Sequence, residues 1–186
     1  MAERKGPTQI ENRNFLAPIG FKFNLQRSPG VAYFCNQANI PDISLGVAQQ
    51  PNYLRDIPTP GDKMDFGDLS LRFLVDEDLK NYMEIHNWIR ALGTPSDFTE
   101  RKEWNESNRS DNRSKERNTK WSDATLQVLN NNNLVNFDVV FQSVFPVSLS
   151  TLPFDVTGTD NDYFTATATF RYTLYEVREK NSQTRR

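Results

Sequence analysis

The feature that most constrains this chain is a change of hydrophobic period inside one short stretch, Met64 to Pro95. Leu69, Leu71, Phe73 and Val75 alternate with Asp68, Ser70, Arg72 and Leu74, the pattern of a strand with one buried face. Immediately afterwards Leu79, Tyr82, Met83, Ile85, Ile89 and Leu92 recur at three- and four-residue steps. Lys80, Asn81, Glu84, Asn87 and Arg90 fill the other side, so an amphipathic helix is expected there. Asp76 is placed to cap it, Glu77 and Asp78 sit where the helix dipole favours negative charge, and Gly93 followed by Pro95 ends it. No second helix is written as clearly. One helix among alternating strands predicts a mainly β fold: an antiparallel β-sandwich or barrel with one flanking α-helix.

The rest of the chain reads as strands and interruptions. Phe21, Phe23 and Leu25 alternate with Lys22, Asn24 and Gln26, the turn residues Ser28-Pro29-Gly30 follow, and Val31 to Asn36 resumes an apolar run, which predicts a first hairpin. From Ile40 to Gly61 the prolines Pro41, Pro51, Pro58 and Pro60 exclude a central strand, and short edge segments joined by a long loop or an extended hairpin are expected. Ala124, Leu126 and Val128, then Phe137, Val139, Phe141 and Phe145, flank the Asn130–Asn133 run and predict a second hairpin. Pro146 to Pro153 reads as a proline-bounded connection, and Thr157 to Asp162 as a turn. Phe164, Ala166, Ala168, Phe170, Tyr172 and Leu174 then share one face of a single long last strand.

With 186 residues and 37% hydrophobic content there is enough chain for one domain with a sizeable core. Residues 15–177 form that domain, preceded by a polar arm at 1–14 and followed by a polar tail at 178–186. Within it, Ser96 to Lys120 is a highly charged insertion whose one large apolar residue is Trp104, too little to fold by itself. Its Arg and Lys residues are interleaved with Glu and Asp, which favours a solvated loop over a nucleic-acid tract. Asn105, Asn108 and Asn112 match the N-x-Ser pattern, but Met1 to Pro7 lacks the apolar core of a secretory signal. A formal net charge of −2 argues against a surface built wholly for nucleic acid. No run approaches the roughly 20 apolar residues that a membrane-spanning helix needs.

Chemistry is sparse. The lone cysteine, Cys35, lies in an apolar run and reads as a small core residue rather than a nucleophile, and it rules out a disulfide framework within the chain. His86, the only histidine, is expected to be partly buried on the helix. Asp65 with Asp68, and Asp160 with Asp162, read as turn residues rather than catalytic carboxylate pairs. No phosphate-binding glycine loop or metal-ligand spacing is present, so no catalytic, cofactor or metal site is expected.

Several ordered features together resemble a known family. Cys35-Asn36-Gln37-Ala38-Asn39-Ile40-Pro41, Pro60-Gly61-Asp62, Phe66-Gly67-Asp68 before the strand, Asp76-Glu77 and the helix with Trp88 look like the tail tube proteins of contractile-tailed bacteriophages. The segment Phe141 to Phe154, with Phe145-Pro146-Val147-Ser148-Leu149-Ser150 inside it, the acidic turn and the strand reaching Tyr175 are similar to that family's closing portion. The resemblance implies a structural virion protein, assembled in the host cytoplasm, whose hexameric rings stack into a tube for the phage genome. Tail sheath and baseplate proteins are the implied partners, and DNA passes without specific binding or any membrane. Baseplate proteins that initiate such tubes, and terminators that cap them, share the fold and are the alternative. A sandwich-type ligand-binding module, with Trp104 and Trp121 flanking its charged loop, is the alternative of another class.

On this reading the excursion at 42–63 reaches toward a neighbouring copy, and Pro51, Tyr53, Leu54, Arg55, Pro58, Pro60 and Asp62 are the candidate inter-subunit contacts. Lys63, Asp65, Asp68, Ser70 and Arg72 are the candidates for the lumen, where a mixed or acidic lining would let a polyanion slide.

Overall fold

A computed structural model of the chain describes residues 15–93, 120–155 and 163–179, together with the isolated positions 99 and 102. The polar arm 1–14, nearly all of the charged insertion with Trp104 and the N-x-Ser sites, the turn with Asp160 and Asp162, and residues 180–186 lie outside the described residues.

Among the described residues, nine strands and two helices are delimited, in the order β1 (Phe21–Leu25), α1 (Pro29–Tyr33), β2 (Cys35–Ala38), β3 (Ile43–Gln50), β4 (Ile57–Phe66), β5 (Leu69–Leu74), α2 (Lys80–Gly93), β6 (Ser122–Leu129), β7 (Val135–Leu149), β8 (Thr165–Arg171) and β9 (Leu174–Glu179). Every pairing is antiparallel. Seven strands form one sheet, in the order β1-β6-β7-β8-β5-β2 with β9 also on β7, while β3 and β4 pair only with each other. The expected mainly β, antiparallel fold with a flanking helix is the one observed.

The long strand β7 organises the main sheet. Its first half lies between β6 and β9, and from Phe145 onward it pairs with β8. The change of partner follows Ser143, which has φ of 57° and shifts the buried positions from Val139 and Phe141 to Val144. Inward residues of β1, β5, β6, β7 and β8 meet Ile85 and Trp88 of α2 in one core that includes Phe23, Leu25, Leu71, Phe73, Phe141 and Phe170. Burying side chains of this size stabilises the fold by about 1.5–3 kcal/mol each.

Several expectations give way here. The first hairpin does not form: β1 pairs with β6, β2 pairs with β5, and Ser28-Pro29-Gly30 starts the short helix α1 instead of a turn. Proline at the first helical position is preset for a helix as readily as for a turn, and the distant strands decide between them. The excursion at 40–61, by contrast, is an extended hairpin, one of the two forms expected for it. Pro146 lies within β7, accommodated by a shift of register before Ser148, so the proline-bounded connection is partly strand. The last strand is two strands, broken at Tyr172 and Thr173, and β9 takes Arg178 and Glu179 into the sheet. Cys35 is half-buried at the start of β2, its thiol donating to the Gln37 carbonyl, and burial pushes its pKa up to about 11. The second hairpin, β6 to β7 through the asparagine run, is as expected: Asn130 Oδ1 accepts from the amides of Asn132 and Leu134 at 2.9 and 3.0 Å.

Helix α2 differs in detail. It opens at Lys80, so Asp76, Glu77 and Asp78 lie in the turn before it, closed by the Leu79 amide donating to the Asp76 carbonyl at 2.9 Å. Asn81, expected on the polar side, is buried, whereas Met83 and His86 face outward. The Asn81 side chain explains its own burial. Its Nδ2 donates to the Leu74 carbonyl at 2.8 Å, and its Oδ1 accepts from the amides of Asp76 at 3.2 Å and Tyr82 at 2.8 Å. One amide thus ties the end of β5, the turn and the first turn of the helix. Replacing it by alanine leaves three backbone groups short of partners, and Asn81→Ala is expected to lower unfolding stability by about 2–3 kcal/mol in urea titration. A loss below about 0.5 kcal/mol would contradict this role.

Candidate assembly surface

The hairpin β3–β4 forms a sheet of its own, and among the described residues no further strand pairs with it. Its register places Ile43 opposite Phe66, Leu45 opposite Met64, Val47 opposite Pro60 and Gln49 opposite Pro58. Cross-strand partners share a face, so one side of the ribbon is an almost unbroken apolar stripe. The other side carries Ser44 opposite Asp65, Ala48 opposite Thr59 and Gln50 opposite Ile57. The stripe is open: Ile43, Leu45, Val47 and Met64 are 53%, 50%, 63% and 60% exposed. Tyr53 and Leu54, at the tip, are almost completely exposed. A two-stranded ribbon that covers neither face has little to stabilise it alone.

The local sequence builds the ribbon in a specific way. Between Leu45 and Val47 the register shifts, so β4 accommodates the extra length of Gly61, Asp62 and Lys63 opposite Gly46. Gly61 is required at that point, since a Cβ there would stand 2.5 Å from the Gly46 carbonyl oxygen. The root is held by an aromatic cluster at the corner between β8 and β9. Tyr172 donates its hydroxyl to the Gly67 carbonyl at 2.9 Å, and Tyr175 donates to the Pro41 carbonyl at 3.0 Å. Phe66 packs on both rings, and Phe141 backs them. Burial pushes the Tyr172 pKa up to about 12, helped by the nearby Tyr175, Asp42 and Asp68, so its hydroxyl stays a donor throughout the neutral range.

The expected contact residues fall on this ribbon. Pro58 and Pro60 lie in the apolar stripe, Pro51, Tyr53, Leu54 and Arg55 at the tip, and Asp62 in the irregular segment. Sequence reasoning missed Ile43, Leu45, Val47 and Met64. Ile43, Leu45 and Val47 lie in the edge segments expected around the prolines, but with Pro41, Pro51, Pro58 and Pro60 as the strongest signals their alternation does not single them out as contacts.

The expected lumen residues divide between two surfaces. Lys63 and Asp65 belong to β4, whereas Ser70 and Arg72 point away from the core on β5, beside Thr169 and Thr167 of β8. Arg72 donates from Nη2 to the Thr165 hydroxyl at 3.2 Å. Asp68, in the connection between β4 and β5, accepts from Arg171 Nε at 2.9 Å. This outer sheet face is therefore rich in hydroxyls, with two arginines and one carboxylate, mixed rather than acidic. Among the described residues no three His, Cys, Asp or Glu side chains cluster as metal ligands would, and no helix is long and apolar enough to cross a membrane.

Comparison with known proteins agrees with this architecture. The family model described as phage tail tube protein matches residues 8–178. Among solved structures, the chain is similar to one in the tube-terminating cap of the anti-feeding prophage, with a TM-score of 0.58 at 16% identity over 92% of this chain and 95% of that one. It is similar to one in the baseplate of the same particle, with a TM-score of 0.55 at 16% identity over 86% and 91%. A chain of the sheath-tube complex of an extracellular contractile injection system gives 0.55 at 16% over 90% and 93%. No curated protein matches in sequence.

Proposed function

Because the chain belongs to the phage tail tube protein family, whose members are structural and not enzymatic, we propose that it builds the inner tube of a contractile phage tail. Copies join into rings, hexameric by family resemblance, and the rings stack into a conduit for the genome. The open apolar stripe of the β3–β4 ribbon carries this reading, since a monomer would leave it in water at a cost that a neighbouring copy removes. The ribbon tip and the residues Pro51, Tyr53, Leu54, Arg55, Pro58, Pro60 and Asp62 supply contacts between copies.

The hydroxyl-rich face with Ser70, Arg72 and the three threonines of β8 lines the bore, joined there by Lys63, Asp65 and Asp68. Arg171 is paired with Asp68, and with Lys63 and Arg72 set against Asp65 the face is within one charge of neutral, a weak net attraction for phosphates. DNA then passes without lodging. Sheath and baseplate proteins are the partners on the outside and at the end, and the protein resides in the virion tail.

A second reading has a specific observation behind it. The similar chains come from a cap and a baseplate as well as from a sheath-tube complex, so a station at either end of the tube is compatible with the same fold. Sedimentation velocity and negative-stain imaging of the purified chain test the assembly common to both. Rings or stacked polymers are expected, and a protein that stays monomeric at high concentration would overturn the proposal. A main tube subunit elongates into long polymers, while an initiator or terminator stops at single or few rings.

A further inference from the structure

The two borders of the ribbon are chemically unlike. Proline has no N–H, so Val47–Pro60 and Gln49–Pro58 can only be the non-hydrogen-bonded pairs of the antiparallel ladder, and Ala48–Thr59 and Gln50–Ile57 the bonded ones. In non-bonded pairs the backbone groups of both residues point outward. The free border of β3 therefore offers the N–H and C=O of Val47 and Gln49, whereas β4 offers only carbonyls at Pro58 and Pro60. One border can accept a strand, and the other is closed by its prolines.

Resting on the tube reading, we propose that the β3 border at Val47 to Gln49 is the site where a sheet edge of a second copy adds to the ribbon, with β4 left outside. The ribbon's cross-section identifies the occupant. It presents apolar side chains on one face and Ser44, Thr59 and Gln50 on the other, and the main sheet, whose free border beyond β5 is β2, repeats that division with its core on one side and Ser70, Thr167 and Thr169 of β5 and β8 on the other. Joined edge to edge, the apolar faces run together on one side and the hydroxyl faces on the other, as a wall wet on one side requires. The joint is heterologous, ribbon to body, so it repeats from copy to copy instead of ending at a dimer.

Amide hydrogen exchange resolved to single residues tests this in the full-length chain, before and after assembly. In the dissociated chain Val47 and Gln49 should exchange freely while Ala48 and Gln50 are protected by β4. In the polymer all four should be protected. Gln49→Pro removes the outward N–H without touching the ribbon's own ladder and should raise the concentration needed for assembly roughly tenfold, the scale of a lost hydrogen bond. Gln49→Ala keeps the N–H and should stay within about twofold of the parent. Protection of Ala48 in both variants reports that the ribbon itself is intact. A polymer whose Val47 and Gln49 amides still exchange freely, or a Gln49→Pro chain that assembles like Gln49→Ala, overturns the edge assignment and leaves the tube reading standing. Protection that appears only when a different protein is added also overturns it. Absence of any polymer from the parent chain overturns both.

Discussion

Leu45→Thr, Val47→Thr and Met64→Thr combined are expected to turn an assembling protein into a monomer without unfolding it. The three side chains lie on one face of the β3–β4 ribbon and are 50%, 63% and 60% exposed, so half or more of each remains to be covered by a neighbour. At about 25 cal/mol per Å² this is roughly 1 kcal/mol per residue and about 3 kcal/mol per ribbon, more than a hundredfold in each contact. A ring closes only when every contact is made, so the loss compounds around it. Threonine keeps the β-branched shape at Val47 and supplies it at Leu45 and Met64, which suits a strand, and the ribbon's own ladder is unaffected. Because none of the three belongs to the core, the melting temperature should shift by no more than about 2 °C. The measurement is sedimentation velocity beside a thermal melt. Parent-like polymers from the triple variant would show that the stripe is not the joining surface.

What could be read from the residues alone was local. The period-2 run through Leu69, Leu71 and Phe73 and the alternation through Ala166, Ala168 and Phe170 became β5 and β8, because one buried face writes itself into consecutive positions. Pairing across distance left no such trace. β1 meets β6 about a hundred residues later, and Ser28-Pro29-Gly30 suits a tight turn and a helix start equally well, so only the assembled sheet tells them apart. Spacing alone puts Asn81 on the polar side, and only the geometry of the preceding turn makes it a buried clasp. The candidate surface was partly visible for the same reason. Prolines at 58 and 60 announce a border strand, but which border they close depends on the register with Val47 and Gln49.

Trp88→Ala is expected to have the opposite outcome, a chain that loses stability while its folded fraction still assembles. Trp88 is 1% exposed and lies between α2 and the sheet, its ring 6.3 Å from that of Phe170. Its Nε1 donates to the Lys120 carbonyl at 3.2 Å, which fixes the chain entering β6, and the Arg27 guanidinium lies 4.9 Å over the ring. Burial lowers the Arg27 pKa to about 10, so near neutrality it remains a cation held against the indole face. Truncation to alanine opens a cavity, orphans the carbonyl and removes that face, for a cost of about 3–5 kcal/mol out of the roughly 5–15 kcal/mol typical of a domain. Trp88→Phe keeps most of the volume and loses the N–H, and should cost about 1–2 kcal/mol, so the pair separates packing from hydrogen bonding. Urea unfolding followed by far-UV circular dichroism measures both, and a Trp88→Ala loss under about 1 kcal/mol would contradict this placement of the core. The assembly assay then distinguishes the two kinds of surface. The threonine variant melts like the parent but does not polymerise, and Trp88→Ala polymerises in proportion to what remains folded, since the ribbon is built from residues outside the core.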